Sequence, residues 1–171
     1  DVSVSRDGRM VAFITQDQVV GDTAWVLPIG SAPGGITATA RKVYQQAQIM
    51  GPGNRVAWLD SALISPDGST LYLATSGNSA SGKVVTALTA YRTTGRASPG
   101  TVTTFDGGFY EGLGELLTPA GGGMLLAWNL YVSTAYLINP ATRTRTTLQL
   151  HGVPRIRFTE PPHLLNVILA W

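Results

Sequence analysis

The sequence lacks cysteine and is poor in histidine, and these two scarcities restrict its chemistry. None of the 171 residues is cysteine, which excludes disulfide bonds, thiolate metal sites and cysteine nucleophiles. The only two histidines, His151 and His163, belong to no His-Glu-x-x-His motif, and no Gly-x-Ser-x-Gly elbow is present. No catalytic group of side chains can therefore be assembled from motifs.

Charge and long apolar runs are also scarce. The net charge is +2, and the 12 basic residues are scattered instead of forming the dense stripe typical of nucleic-acid-binding proteins. The longest apolar run, residues 163–171, is far shorter than the roughly 20 residues of a transmembrane helix. We therefore expect no nucleic-acid partner and no membrane span in this chain.

Turn residues and short apolar segments are abundant instead. The 20 glycines and 10 prolines favour many short strands joined by turns. Four segments share a turn followed by an apolar strand: VSRDGRMVAFIT (4–15), ISPDGSTLYLAT (64–75), LTPAGGGMLLAW (117–128) and FTEPPHLLNVILAW (158–171). Their turns begin 60, 53 and 41 residues apart, and the shortest spacing matches the repeat of a four-stranded propeller blade, about 40–45 residues.

The repeat predicts an all-β fold, a partial β-propeller of about three four-stranded antiparallel blades plus half of a fourth. The repeat units are residues 1–50, 51–108, 109–152 and 153–171. The predicted strands are 2–5, 10–15, 23–28, 41–46, 62–65, 70–75, 84–91, 101–104, 114–117, 124–128, 134–138, 144–150, 156–159 and 164–171.

The predicted last unit has only two strands, and a propeller ring must close because neighbouring blades cover each other's faces. We therefore expect a fragment of a longer protein, with missing blades or a partner chain closing the ring. The alternative is a four-blade unit that tolerates a two-stranded closing blade.

The turn motif resembles a known repeat. SRDGRMVAFIT and SPDGSTLYLAT look like the Ser-Pro-Asp-Gly repeat of TolB-type, WD-repeat-like β-propellers. The Gly-His and Trp-Asp signatures of true WD repeats are absent. The layout is also similar to propeller regions of large actinobacterial extracytoplasmic proteins, so the resemblance favours an extracytoplasmic location. It implies a fold and leaves the function open, because propellers serve as scaffolds, receptors, lactonases and peptidase lids.

Residues 65–68, Ser-Pro-Asp-Gly, are better explained as a turn than as a chemical site. Pro66 presets φ for a turn, Gly68 relieves crowding, and the Asp67 carboxylate can accept nearby backbone N–H groups. The strand that follows is apolar on both sides, as expected for an inner strand packed between neighbouring blades.

Long loops are predicted at the end of the sheets opposite these turns, where function usually lies. The loops are residues 16–22, 48–60, 75–83, 105–112, 129–133 and 151–154. Candidate ligand-binding residues come from four of them: Trp58, Asp60, Asp106, Tyr110, Glu111, Tyr131 and His151. Carboxylates and aromatics together indicate a cation, sugar or peptide site. The alternative is a solvated loop whose aromatics cover the end of the ring.

Two further patterns favour structural explanations. Residues 77–84, GNSASGKV, fit a phosphate-binding loop except that Val84 replaces the hydroxyl residue that holds Mg²⁺, and a loop between two strands is the better interpretation. The alternating arginines Arg143, Arg145, Arg155 and Arg157 suit phosphate or an acidic partner, or a polar outer edge that discourages strand pairing.

Three functions stay open. The first is a non-catalytic scaffold or interaction module that binds a protein, peptide or glycan through its loop-rich end. The second is a lactonase- or hydrolase-type enzyme that uses Asp60, Asp106, Glu111 and His151 with a divalent metal. The third is a structural spacer. The first hypothesis requires no cofactor, and a cation such as Ca²⁺ would be held by Asp106 and Glu111.

Overall fold

Three antiparallel sheets make up the chain. The computed structural model describes residues 2–16, 21–30, 39–46, 57–78, 84–95, 99–106, 115–117, 123–129 and 134–149, and all regular structure in these ranges is β-strand. Each sheet pairs four consecutive strands in chain order. Sheet 1 contains β1 (Val2–Val4), β2 (Met10–Thr15), β3 (Thr23–Pro28) and β4 (Arg41–Gln45). Sheet 2 contains β5 (Ala57–Ile64), β6 (Thr70–Asn78), β7 (Val84–Arg92) and β8 (Gly100–Asp106). Sheet 3 contains β9 (Glu115–Leu117), β10 (Leu125–Asn129), β11 (Thr134–Asn139) and β12 (Thr144–Gln149).

The all-β prediction and the three four-stranded antiparallel sheets are confirmed. Most strand limits agree with the sequence prediction within a residue or two, but sheet 2 extends further toward its loops. β5 begins at Ala57 instead of residue 62, and β6 continues to Asn78. Residues placed in loops by the sequence, including Trp58, Asp60 and Asp106, therefore lie in strands. The predicted fourth unit, residues 153–171, lies outside the described residues.

Sheet 2 lies between the other two sheets and buries both of its faces. Alternate residues of β6 point in opposite directions: Leu71 and Leu73 pack against sheet 1, and Tyr72 and Ala74 pack against sheet 3. Sheet 1 supplies the first core with Ala12, Ala24, Val26 and the half-buried Met10 and Ile14. Sheet 3 supplies the second with Leu125, Ala127 and Ile138. Two apolar layers thus join three sheets into one stack.

The sheets also meet along their first strands. β5 contacts both β1 and β9, and the Ile64 N–H donates to Ser3 Oγ of β1 at 3.1 Å. At the adjacent turns the Arg6 N–H donates to the Pro66 carbonyl at 2.9 Å. The described sheets form an open stack. Within the described part of the chain, no helix is long or apolar enough to cross a membrane.

The turns before β2 and β6 contain the same hydrogen-bond network. Ser5 Oγ donates to Asp7 Oδ1 (2.7 Å) and accepts the Met10 N–H (2.9 Å). Sixty residues later the Ser65 hydroxyl makes the same pair of bonds to Asp67 Oδ1 and the Thr70 N–H. The Ser65 hydroxyl, with the N–H and hydroxyl of Ser69, lowers the pKa of Asp67. The serine and aspartate side chains of both motifs are thus bonded within their own turns, which supports a structural role.

Arginines on the outermost strands tie each outer sheet to sheet 2. The Arg41 guanidinium on β4 donates to the carbonyls of Arg92 (3.1 Å), Thr93 and Gly95 (3.3 Å) in the β7–β8 turn. Arg145 on β12 donates to the Thr104 carbonyl of β8 at 2.9 Å, and its guanidinium lies 5.7 Å from the centre of the Tyr136 ring. Of the predicted arginine pairs, Arg145 therefore contacts sheet 2, whereas Arg155 and Arg157 lie outside the described residues.

The two turn glycines provide a matched test of the stacking. Gly8 and Gly68 have φ values of 70° and 72°, so alanine at either position costs about 1 kcal/mol of backbone strain. A Cβ atom at Gly68 would also lie 3.3 Å from Met10 Cβ in sheet 1, whereas one at Gly8 meets nothing within 4 Å. We expect Gly68→Ala to lower the free energy of unfolding in urea more than Gly8→Ala. Equal losses would contradict a tight contact between this turn and sheet 1.

Candidate functional site

Three of the seven candidate residues lie at one end of sheet 2. Trp58 pairs with Ser76, Asp106 pairs with Val85 in the next row of the sheet, and Asp60 lies near the start of the same β5 strand. This end is opposite the Ser-x-Asp-Gly turns because successive turns of a meander alternate between the two ends. The backbone thus brings residues 58, 60 and 106 to the end where the long loops begin.

The remaining candidates cannot be placed. Tyr110, Glu111, Tyr131 and His151 lie outside the described residues, as do the side chains of Trp58 and Asp106. The structure therefore defines a candidate site around Asp60 alone, together with neighbours that were not singled out from the sequence.

Asp60 occupies an irregular position in β5. In the pairing with β6, Leu59 faces Thr75 and Ser61 faces Ala74, so Asp60 is the additional residue of a β-bulge. A bulge redirects a side chain and often lies beside a functional site. Here the bulge allows Leu59 and Ala62 to enter the first core while Asp60 turns toward the polar side chains of β6 and β7.

A chain of hydroxyls crosses the sheet from Asp60. Ser76 Oγ on β6 donates to Asp60 Oδ2, and the hydroxyls of Ser76 and Thr86 lie 2.8 Å apart. Thr86 is 1% exposed and Ser76 is 7% exposed, so both hydroxyls are buried. When Ser76 donates to Asp60, Thr86 donates in turn to Ser76. Buried hydroxyls need such partners, and the chain orients one donor at the carboxyl group.

Asp22, from the loop before β3, is a second carboxylate at the same end. Its Oδ2 accepts the Leu59 N–H at 3.2 Å, and its carbonyl accepts the Gln46 N–H at 2.8 Å. The residue thereby joins the β2–β3 connection to β4 and to the bulge in β5. The sequence placed a loop at 16–22 but gave no reason to select its last residue, because the contact with Leu59 is made across 37 positions.

The carboxyl group of Asp60 is held in an environment that favours its neutral form. Asp60 keeps some accessible surface, yet its carboxyl group is largely desolvated, and this desolvation is the main cause that raises its pKa to about 7. The hydrogen bond from Ser76 acts in the opposite direction, and the nearby charge of Asp22 raises the pKa further. Such a pKa is typical of functional sites more often than of structural turns.

The described residues do not resemble a metal centre. They contain no group of three or more His, Cys, Asp or Glu side chains close enough to hold an ion. Asp22 and Asp60 alone offer fewer oxygens than the six to eight that Ca²⁺ takes. The predicted pair for a cation, Asp106 and Glu111, has no described side chains.

No family model matches the chain, and no curated protein is significantly similar to it.

The raised pKa of Asp60 predicts an unusual dependence of stability on pH. An unfolded Asp titrates near 3.9, so between about pH 4 and pH 7 the folded protein binds more protons than the unfolded chain. The contribution of Asp60 to the free energy of unfolding therefore falls as the pH rises through this window. We expect Asp60→Asn, which is neutral throughout, to be more stable than the wild type at pH 8 by at least about 1 kcal/mol and to lose that advantage near pH 4.

Asp7→Asn is the control, measured by urea unfolding at both pH values. The hydrogen bonds from the Ser5 hydroxyl and the Arg9 N–H lower the pKa of Asp7. The ionised Asp7 therefore stabilises the folded protein above the pKa that it has in the unfolded chain, and this stabilisation is lost as the pH falls through its lower pKa in the folded protein. Asp7→Asn should therefore destabilise at pH 8. A similar pH response of both variants would contradict the assignment for Asp60.

Proposed function

We propose that the chain is part of a β-propeller and serves as a non-catalytic module that binds a protein, peptide or glycan at its loop-rich end. The observation that supports binding there is the Asp60 carboxyl group, held at a bulge by a buried chain of hydroxyls beside Asp22. Among the described residues, no basic side chain acts on the pKa of this carboxyl group. A ligand with hydrogen-bond donors would give the carboxyl group a further partner.

Three features support the propeller. Each sheet is a meander of four strands in chain order, the first strands of all three sheets adjoin, and the middle sheet buries both faces. This layout is the one a propeller uses around its axis, where first strands are innermost. The repeated Ser-x-Asp-Gly turns, with the same internal hydrogen bonds, agree with the resemblance to TolB-type repeats.

The candidate ligand classes differ in what they offer a carboxyl group. Sugars and peptides present hydroxyl and amide donors that can bond to Asp60 and Asp22, whereas a phosphate would be repelled by them. A strongly anionic ligand is therefore disfavoured at this end, and neutral or basic glycans and peptides suit it.

An enzymatic alternative has one observation in its favour. A carboxyl group with a pKa of about 7 is suited to general acid–base catalysis near neutral pH. The hydrolase version uses a divalent metal with Asp60, Asp106, Glu111 and His151. Stoichiometric Ca²⁺ or Zn²⁺ in the purified protein, lost on Asp106→Ala, would favour this version over the binding module.

Binding should be tested with the labelled protein on a glycan array and against a displayed peptide library. We expect the ligands found to bind at least about tenfold more weakly to Asp22→Asn and Asp60→Asn, because each variant removes a carboxylate acceptor. Asp7→Asn, at the opposite end of the sheets, should bind as the wild type does.

Weaker binding by Asp60→Asn at pH 8 cannot be explained by unfolding, because we expect this variant to be more stable than the wild type at that pH. The weaker binding would therefore report the loss of a contact with the ligand. Ligands that bind both carboxylate variants at wild-type affinity would refute the proposed location of the site.

A further inference from the structure

The free edge of β5 is fixed to sheet 1 and its connections at two points. β5 is the first strand of sheet 2, so the N–H groups on the edge away from β6 have no strand partner within that sheet. The β6 partners of Leu59 and Ile64 lie four positions apart, so the N–H groups of both residues point the same way. The Ile64 N–H donates to Ser3 Oγ at 3.1 Å, and the Leu59 N–H donates to Asp22 Oδ2 at 3.2 Å. Both hydrogen bonds therefore join sheet 2 to its neighbour.

The bulge at Asp60 makes this arrangement possible. Without the extra residue, Leu59 would lie an odd number of positions from Ile64 in the pairing, and its N–H would point toward β6. Asp60 follows Leu59 directly, so its carboxyl group and that of Asp22 lie at the same junction between the sheets. The two groups interact, because the charge of Asp22 acts on Asp60.

The strands around β5 bring no described positive charge to this junction. β1, β2 and β3 contain no ionisable side chain. The described ionisable side chains of the other strands in sheets 1 and 2 are Arg41, Lys42, Tyr44, Tyr72, Tyr91 and Arg92, and the side chains of Asp106 on β8 and Glu115 on β9 lie outside the described residues. None of the described six changes the pKa of Asp60, whereas the charge of Asp22 raises it.

We propose that ionisation of Asp60 releases the Asp22 side chain from the Leu59 N–H, so that this hydrogen bond is a proton-sensitive latch between sheets 1 and 2. With Asp60 neutral, its carboxyl group accepts the hydrogen bond from Ser76 and does not repel Asp22. When Asp60 ionises, two carboxylates lie near each other in a partly desolvated site, where their repulsion is stronger than in bulk water.

Asp22 is the residue of the pair that can move. It is half-buried and precedes β3, whereas Asp60 is held within a paired strand. Desolvation raises the pKa of Asp60 to about 7, so the release falls near neutral pH. The latch lies at the loop-rich end but does not rest on the proposed function, because it requires no ligand.

Amide hydrogen exchange, measured by NMR at pH 5.5 and pH 8 without ligand, tests the latch. The protection factor is the exchange rate of the unfolded chain divided by that of the folded protein, so it removes the intrinsic pH dependence of exchange. We expect the protection of the Leu59 N–H to fall at least about tenfold between the two pH values. The Ile64 N–H, at the other end of the same edge, should keep its protection within about twofold.

Variants separate the latch from other effects of pH. Asp60→Asn stays neutral, and in Asp22→Asn the amide carbonyl still accepts a hydrogen bond but carries no charge. In both variants the protection of the Leu59 N–H should be equal at the two pH values within about twofold. Ser3→Ala is the matched control: it should lower the protection of the Ile64 N–H at both pH values and leave that of Leu59 unchanged.

Equal protection of the Leu59 N–H at pH 5.5 and pH 8 in the wild type would overturn the proposal. So would a pH response of Leu59 that persists in Asp60→Asn or in Asp22→Asn. A loss of protection that Ile64 shares in full would also contradict a local latch, since unfolding of the whole chain gives that result.

Discussion

The burial of both faces of sheet 2 is the constraint on which the fold depends. The strand β6 has leucines on one side and Tyr72 and Ala74 on the other, so a two-layer sandwich would bury only one of its two apolar sides. It needs a sheet on each side, and the meanders before and after it in the chain provide them. The turn networks, the first-strand contacts and the arginine bonds then fix how those three layers align.

The two ends of the sheets use their polar groups differently. At the Ser-x-Asp-Gly end, the carboxylates of Asp7 and Asp67 are stabilised by hydrogen bonds and favour the ionised form. At the loop-rich end, desolvation makes Asp60 favour the neutral form, which weakens the folded state above its pKa. A scaffold optimised for stability alone would place an uncharged side chain at such a bulge. Residues that oppose stability in this way are frequent at binding and catalytic sites.

Local patterns were sufficient to predict most of the architecture. Turn residues and apolar alternation located all twelve described strands, since both signals depend on neighbours within a few positions. They failed at β5, where the bulge at Asp60 breaks the alternation and made residues 57–61 resemble a loop. The partnership of Asp60 with Ser76 and Asp22 was equally hidden, because it depends on strand register and on a contact between sheets. The carboxylates and aromatics of the predicted loops were enough to select Asp60 from the sequence. Its hydrogen bond with Ser76 and its raised pKa could be found only from the fold.

The strict chain order of the strands also affects how the protein is made. Within each sheet every strand pairs with the next one synthesised, so each sheet can form soon after its last strand leaves the ribosome. Sheet 2 then finds its first neighbour already present, but its Tyr72 and Ala74 face has no cover until residues 125–138 are made. During that interval a nascent chain displays a wide apolar β-surface. Slow translation between β8 and β10 would therefore favour misassembly, which gives the codons of this segment a kinetic importance that the finished fold conceals.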